Sequence, residues 1–266
     1  MRISKAEIKY LRSLSQKKVR QAERKFVLEG WRGVKEVLNS SSKIESVAVL
    51  SRYLDDPDYL GIIGKLRERD IPIRELEEND LKQVADTVHA QGVVAVVAQR
   101  NHAIDDVRLK SMSLIVAADS VSDPGNLGSL VRSSDWFDAD MVFLGRGCVD
   151  LYNDKVVRST VGSIFHLPVV EGVDLPSMCV SLKRSGFTVV ALSGDGKESY
   201  TDVRASQKVV YVFGSEAHGV SKEVRGAADA IVRIPKYGKA ESLNVGVACG
   251  IVLAHARMRH GSVKGA

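Results

Sequence analysis

The stretch IPKYGKAESLNVGVACGIVLAHA, residues 234–256, decides the interpretation of the carboxyl-terminal half of this chain. It follows a strand-like run and contains a polar loop that leads into an apolar helix, predicted to begin with Ser242 as its cap. Such a loop exposes backbone N–H groups beside short polar side chains, which suits a small polar ligand. Gly246, Gly250 and Ala254 leave one helix face almost bare, so another backbone or a ligand can approach it. The alternative is a tightly packed terminal helix, in which two glycines still need a reason.

Upstream of that stretch, short apolar strands alternate with helices. Five strands are predicted, at 114–119, 141–145, 187–193, 209–214 and 230–235. The accompanying helices are predicted at 126–137, 154–161, 174–185, about 219–226 and 242–259. Runs of this kind are typical of a parallel sheet covered by helices on both faces, so the fold class is α/β.

The first hundred residues show the same alternation on a smaller scale. Their strands are predicted at 25–30, 46–51, 71–76 and 92–99, with helices between them. The periodic pattern is then lost over a short charged segment. The sequence therefore predicts a small amino-terminal α/β domain over 1–100, a linker over 101–113 and a second α/β domain over 114–266.

Charge is concentrated at the amino terminus. Residues 1–25 hold nine Lys or Arg and two Glu, a net +7, whereas the whole chain of 266 residues carries +5. A basic amino-terminal helix on a near-neutral body indicates contact with a phosphate backbone, and the alternative is a solvated helix face. A membrane-surface helix is disfavoured because apolar residues are few there.

Composition excludes several classes of protein. No apolar run is long enough to span a bilayer and the start has no apolar signal region, which predicts a cytoplasmic protein without membrane contact. The three cysteines, Cys148, Cys179 and Cys249, are isolated and odd in number. They indicate neither a disulfide framework nor a metal site, so we expect small, buried, reduced residues and no bound metal.

Two further polar motifs follow predicted strands, where open α/β sheets bind ligands. The first, DSVSDPGNLGSLVRSSDWF at 119–137, contains Asn126 and Arg132. Six residues separate them, so the two side chains can converge only if Asn126 precedes the helix. The motif lacks G-x-G-x-x-G, which argues against a dinucleotide site and leaves a helix cap and a surface arginine as the plain alternatives.

The second motif, VFGSEAHGVSKEV at 212–224, places Glu216 between two glycines. That spacing favours close approach of the backbone to a ligand, with the carboxylate accepting hydrogen bonds or neutralising a cation. Ser215, Glu216 and His218 could suggest a hydrolase. Because G-x-S-x-G is missing and sequence neighbours rarely form a triad, that interpretation is set aside.

Together the motifs DPGNLGSLVRSSDWF, FGSEAHGVS and IPKYGKAESLNVGVACGI resemble the three ordered motifs of the SpoU (TrmH) family of RNA ribose 2′-O-methyltransferases, within the SPOUT superfamily. The amino-terminal part resembles the small ribosomal-protein-like substrate-binding domain of many members. The resemblance implies S-adenosylmethionine as cofactor, RNA as substrate, a homodimer and a deep trefoil knot, although knots are almost absent from folds in general.

By the same resemblance, individual positions acquire expected roles. The reaction residues would be Asn126, Arg132, Glu216, Ser242 and Asn244. The cofactor contacts would come from Gly214, Glu216, Ile234 and Leu243, with Ile234 and Leu243 acting largely through backbone groups.

The residue types fit methyl transfer to a ribose 2′-OH. A protein must orient this weak nucleophile and stabilise charge as its proton leaves. Since arginine is effectively always protonated, we expect Arg132 to clamp a phosphate and stabilise the developing alkoxide. Ribosomal RNA is the expected substrate. The alternatives are an RNA-binding protein on a decayed catalytic scaffold, and a tRNA or base methyltransferase of the same superfamily.

Overall fold

The computed structural model describes residues 1–85, 91–102, 104, 109, 111–203 and 207–260, with the backbone alone at position 260. The described residues form ten α-helices: α1 (Lys5–Ser13), α2 (Lys17–Glu23), α3 (Trp31–Leu38), α4 (Leu60–Glu68), α5 (Glu78–Val84), α6 (Pro124–Trp136), α7 (Asp154–Thr160), α8 (Leu175–Arg184), α9 (Lys222–Ala227) and α10 (Val245–His260). They also form eleven strands: β1 (Lys25–Glu29), β2 (Ile44–Leu50), β3 (Ile73–Leu76), β4 (Val93–Ala98), β5 (Leu114–Asp119), β6 (Met141–Gly145), β7 (Val169–Val173), β8 (Thr188–Leu192), β9 (Glu198–Ser199), β10 (Val209–Gly214) and β11 (Ala230–Arg233).

The chain divides into two units, one of residues 1–100 with 152–166 and the other of 101–151 with 167–266. The first unit contains a four-stranded mixed sheet in the order β1-β4-β2-β3. One of its cores joins α1 and α5 to the sheet through Ile8, Leu11, Leu81 and Val96. The predicted basic helix is in fact two helices, because the chain leaves helical hydrogen bonding after α1 and resumes it at α2.

The segment 152–166 was predicted as part of the second domain, yet it belongs to the first unit. Phe26 of β1 packs against Tyr152 and Phe165, with ring centroids 4.8 and 6.3 Å apart. The Arg100 guanidinium also donates to the carbonyl oxygen of Phe165 at 2.6 Å. The predicted domain boundaries themselves stay a prediction, and part of the linker 101–113 lies outside the described residues.

The second unit contains a seven-stranded sheet in the order β7-β6-β5-β10-β8-β11-β9, and every pairing in it is parallel. All residues of β5 and β6 are buried, as expected for central strands covered on both faces. The predicted α/β fold class, with a small amino-terminal domain before a parallel-sheet domain, is confirmed; the knot stays a prediction. Strands β7 and β9 were missed, because β7 contains Glu171 and Gly172 and β9 has two residues.

Within the described residues, no helix has the length and apolar character needed to cross a membrane. In that same part of the chain, no three His, Cys, Asp or Glu side chains are grouped so as to hold a metal ion. Cys179 and Cys249 are buried as expected, whereas Cys148 is only partly buried, and all three are free. Burial raises the pKa of the Cys249 thiol to about 12, which keeps it protonated and unreactive.

Candidate active site

The site is organised at the carboxyl ends of two neighbouring strands, β5 and β10. Asp119 and Gly214, the last residues of these strands, are register partners. A Cβ added at Gly214 would lie 2.0 Å from the carbonyl carbon of Gly219, so only glycine fits there. Ser215 and Gly219 exchange two backbone hydrogen bonds of 3.1 and 2.9 Å, which close a tight turn. Glu216 is therefore presented from a turn whose backbone is fixed at both ends.

Asp119 attaches this turn to the sheet. Its carboxylate is 6% exposed and accepts a hydrogen bond of 2.7 Å from the backbone N–H of Ser221, just beyond the turn. A buried carboxylate is stable only when hydrogen-bonded, so this contact holds the chain after Glu216 against β5. Asp119 was not among the predicted site residues. Its sequence signal is an acid at the last position of an otherwise apolar strand.

Helix α6 supplies the next group. Asp123 caps it by accepting from the N–H of Asn126 at 2.8 Å, and Pro124 is its first residue. Asn126 thus lies within the first helical turn. Its side-chain Nδ2 donates to Glu216 Oε1 at 2.5 Å, although the two residues are 90 positions apart.

Asn244 is the cap of α10, which corrects the prediction that Ser242 caps this helix and that Asn244 lies inside it. Its Oδ1 accepts from the N–H groups of Gly246 and Val247 at 2.9 and 3.2 Å. The helix accordingly begins at Val245, three residues later than predicted. The Nδ2 of Asn244 then donates to Asn126 Oδ1 at 2.5 Å.

These contacts form one directional chain of hydrogen bonds. It runs from the amino end of α10 through Asn244 and Asn126 to Glu216, and each amide accepts on one side and donates on the other. Hydrogen bonds in series polarise one another, and a helix amino terminus favours negative charge nearby. The arrangement therefore holds the Glu216 side chain in a fixed orientation. Among the described residues, its second carboxylate oxygen has no hydrogen-bond partner.

Arg132 takes no part in this series of hydrogen bonds. It lies six residues after Asn126 in the same helix, about 120° away around the helix axis. The side chains of Asn126 and Arg132 were predicted to converge only if Asn126 precedes the helix, and Asn126 lies inside it. In the described part of the chain the exposed guanidinium of Arg132 makes no hydrogen bond or ion pair.

The remaining predicted residues lie in the irregular segment between β11 and α10. Ile234 follows β11 directly and is partly buried, whereas Ser242 and Leu243 are exposed. Within the described residues, the Ser242 side chain has no hydrogen bond to the chain of amides. The structure thus brings Asn126, Glu216 and Asn244 together, and Gly214 lies two residues before Glu216 in sequence. The other predicted residues, Ile234, Ser242 and Leu243, lie on the segment that leads to Asn244.

The small residues of α10 pack against α6. A Cβ at Gly246 would come within 2.7 Å of the Cβ of Ser129, and one at Gly250 within 3.9 Å of Ser133 Oγ. Arg257 Nε also donates to the carbonyl oxygen of Phe137 at 2.6 Å, just after α6. The bare face thus serves helix packing, one of the two predicted uses, and brings Asn244 to Asn126.

Comparison with known proteins identifies the family of this chain. Residues 113–254 match the model of the SpoU rRNA Methylase family. The chain belongs to the SpoU rRNA methylase family. Residues 5–95 match an MRM3-like substrate binding domain. The predicted family resemblance is confirmed, and with it the class of RNA methyltransferases.

Relatives of this SpoU protein cover nearly its full length. It is 32% identical to the 23S rRNA (guanosine(2553)-2′-O)-methyltransferase RlmP of Bacillus subtilis, over 94% of this chain and 96% of the relative. A crystal structure of an AdoMet-bound rRNA methyltransferase from Sinorhizobium meliloti is similar with a TM-score of 0.83 and 29% identity, covering 97% of this chain and 96% of that one. A putative RNA methyltransferase of the TrmH family from Porphyromonas gingivalis has a TM-score of 0.82 and 27% identity, covering 97% and 100%.

Proposed function

We propose that this protein transfers a methyl group from S-adenosylmethionine to a ribose 2′-OH of ribosomal RNA. The observation that carries the proposal is the hydrogen-bonded chain from Asn244 through Asn126 to Glu216 at the carboxyl edge of the parallel sheet. The full-length similarity to a 23S rRNA 2′-O-methyltransferase and to an AdoMet-bound rRNA methyltransferase supports it.

The residues present fit S-adenosylmethionine. Gly214 lets the backbone of the turn close against the strand end, Glu216 offers carboxylate oxygens, and Ile234 and Leu243 offer apolar surface beside backbone groups. Gly214, Glu216, Ile234 and Leu243 would hold the cofactor. When bound, the cofactor supplies an activated methyl group on a sulfonium cation.

The remaining polar groups act on the ribose. Asn126 and Asn244 are held in one orientation by their mutual hydrogen bond, and Ser242 adds an exposed hydroxyl from the adjoining segment. Oriented amides and hydroxyls reduce the entropy lost when the sugar is positioned for reaction. Arg132 stabilises the negative charge that develops on the 2′ oxygen and binds a neighbouring phosphate.

Arg132 and Asn126 act together only if they come from two copies of the chain. The two residues point about 120° apart on α6, so one copy does not aim both at one ribose. Trp136 on α6 and Met258 on α10 are 81% and 76% exposed, an unusual position for large apolar side chains. The active form is a homodimer in which each site combines Asn126 and Glu216 of one protomer with the partner's Arg132.

The first unit contacts RNA through α1. Lys5, Lys9 and Arg12 are exposed at intervals of four and three, which places them on one helix face. They line a groove of about 980 Å³ that Lys82 and Arg158 also line. Basic groups around a concave surface suit a phosphate backbone, whose binding is electrostatic and largely independent of sequence.

Two finer features complete the proposal. The carboxyl-terminal domain is knotted; the supporting observation is that residues 193–199 lie backbone to backbone against β11, where a Cβ at Gly196 would come within 2.5 Å of the carbonyl carbon of Val232.

The protein acts in the cytoplasm, since its substrate is ribosomal RNA.

The test uses purified protein, S-adenosylmethionine with a tritiated methyl group, and ribosomal RNA from a strain that lacks the gene. We expect label on a ribose 2′ oxygen after digestion to nucleosides. Label on a base would indicate a base methyltransferase of the same superfamily, and label on tRNA alone would refute the ribosomal target. RNA binding without cofactor binding in calorimetry would indicate a decayed scaffold.

A further inference from the structure

The loop between β8 and β9 is bound to the last residues of β11. Ser193 N–H donates to the carbonyl oxygen of Val232 at 2.9 Å, and Arg233 Nη1 donates to the carbonyl oxygen of Gly196 at 2.8 Å. Strand β9 pairs with the same end of β11. The next residue along the chain is Ile234, where the proposed cofactor segment begins. Residues 193–197, here named the β8 loop, therefore adjoin the site at the carboxyl edge of the sheet.

The Arg225 side chain attaches the β8 loop to helix α9. Arg225 of α9 donates through both terminal nitrogens to the Asp195 carboxylate, at 3.0 and 2.9 Å, and also to Ser193 Oγ at 3.0 Å. Ser193 Oγ in turn donates to Asp195 Oδ1 at 2.5 Å. The hydrogen bonds from Arg225 hold the pKa of Asp195 at about 2, so the pair is ionised at any physiological pH.

The other end of the same short helix is attached to the Glu216 turn. Ser221 caps α9 with its hydroxyl, and its own N–H is bound by the buried Asp119. Helix α9 thus connects two strand-end segments: the turn that carries Glu216 at its amino end, and the β8 loop through Arg225 one turn later. A shift of either segment would be transmitted to the other through this helix.

We propose that Arg225 and Asp195 are positioning residues that hold the β8 loop as a wall of the cofactor site; this inference rests on the proposed function. Most exposed ion pairs contribute little to stability, and Asp195 is 66% exposed. This pair differs because it is bidentate, because Ser193 joins it, and because both segments that it connects end at the site. Its loss releases the β8 loop from α9 without removing any group that contacts substrate.

A control ion pair lies at the other end of the same strands, where they begin. Lys183 pairs with Asp229 at 2.9 Å, with side-chain exposures of 39% and 36%. Asp229 immediately precedes β11 and lies at the amino edge, away from the strand ends that carry the site. Lys183 Nζ also donates to the carbonyl oxygen of Ala227, the last residue of α9, at 3.2 Å. Lys183→Ala therefore removes an ion pair and one contact to α9 without touching the β8 loop, so it also controls for a loosened helix.

The experiment measures S-adenosylmethionine binding by calorimetry without RNA, then KM and kcat with ribosomal RNA, for wild type, Arg225→Ala, Asp195→Asn and Lys183→Ala. We expect Arg225→Ala to raise the Kd and KM for the cofactor roughly tenfold while kcat changes less than about threefold, because a misplaced wall weakens binding more than chemistry. Asp195→Asn should show a smaller effect in the same direction, and Lys183→Ala should match wild type. The exchange of charges in the double variant Arg225→Asp with Asp195→Arg should recover part of the affinity.

Two outcomes would overturn the inference, and they are distinguishable. If wild type binds the cofactor and Arg225→Ala binds it equally well, the pair is merely structural, whatever the change in Tm. If wild type itself does not bind S-adenosylmethionine, the proposed function fails and this inference fails with it. If Arg225→Ala does not fold, Asp195→Asn still tests the inference, because asparagine keeps the side-chain shape of aspartate and one hydrogen-bond acceptor.

Discussion

The two units place their polar groups in contrasting ways. In the first unit, Lys5, Lys9 and Arg12 project from a helix surface, and each acts as a separate charge whose neighbours matter little. In the second, Asn126, Glu216 and Asn244 form one hydrogen-bonded set, fixed by a capped helix, a tight turn and a second helix. The contrast predicts graded, additive losses from substitutions in the first unit and abrupt losses in the second.

The largest expected effect concerns Arg132. Arg132→Ala should lower kcat by about 10²–10³, as is usual when a group that stabilises transition-state charge is removed, and leave the cofactor Kd unchanged. Wild-type rates in this variant would refute the assigned role.

The same residue tests whether the site is shared between copies. Protomers with Arg132→Ala and protomers with Asn126→Ala, mixed after unfolding and refolding, should regain about one quarter of wild-type activity, because half of the dimers are hybrids with one intact site. Mixed samples that stay as inactive as their parents would place both residues in the site of a single copy.

The next largest effect is expected from substitution of Gly214, which should lower stability as well as activity. Gly214→Ala should reduce the free energy of unfolding by about 1–3 kcal/mol, because the new Cβ overlaps the Gly219 backbone. Gly226→Ala in α9 is the control: a Cβ there meets nothing within 4 Å, so the helix should gain about 0.5–1 kcal/mol. Urea titrations of the two variants would give the comparison, and equal shifts would contradict it.

A smaller, graded effect is expected in the first unit. Replacing Lys5, Lys9 and Arg12 by alanine should weaken binding to ribosomal RNA by about tenfold at moderate salt and reduce the salt slope by about 2–3, since each phosphate contact contributes roughly 0.7–0.9. The control replaces Lys17, Lys18 and Lys35, which are exposed but do not line the groove. Equal losses in both triple variants would mean that net charge, rather than the groove, governs binding.

The smallest effect concerns Glu7, whose carboxylate accepts from Arg74 Nε at 2.6 Å and from the Ser4 N–H at 2.8 Å. These bonds lower its pKa from 4.5 to about 2. A depressed carboxylate pKa stabilises the fold above about pH 4.5, and the contribution disappears as the pH falls toward 2. Glu7→Gln should therefore cost less than about 1 kcal/mol at pH 7, and this cost should vanish as the pH falls below about 2. Glu68→Gln, on the exposed side of α4, is the matched control in the same urea titrations, and equal losses in both variants would contradict the prediction.

Local sequence was sufficient for most strands, because runs such as LIVAA and VVYVF are continuously apolar. It was insufficient where a partner decides the structure. The two residues of β9 are a strand only because β11 lies beside them, and the segment 152–166 joins the first unit through Phe26. Neither fact is visible in a window of neighbouring residues.

The site shows the same division. Asn126, Glu216 and Asn244 were chosen by motif, and the structure brings them together. The predicted start of α10 was wrong because Ser242 and Asn244 are both residue types that cap helices well. Which of them is the cap depends on which side chain reaches the helix N–H groups, and Asn244 does so. Arg132 was grouped with Asn126 by family resemblance, whereas helical geometry separates them. Asp119, Asp195 and Arg225 gained roles only through contacts that span 30 or 102 positions.

The link from Asn244 to Asn126 joins positions 118 residues apart, and it depends on α10. Such a contact can form only after the long intervening segment has closed, at a cost in loop entropy. Under the proposed function, we therefore expect a nascent or shortened polypeptide without α10 to be inactive even when its first unit is complete. We expect methylation activity to report in this way on the maturity of the whole molecule.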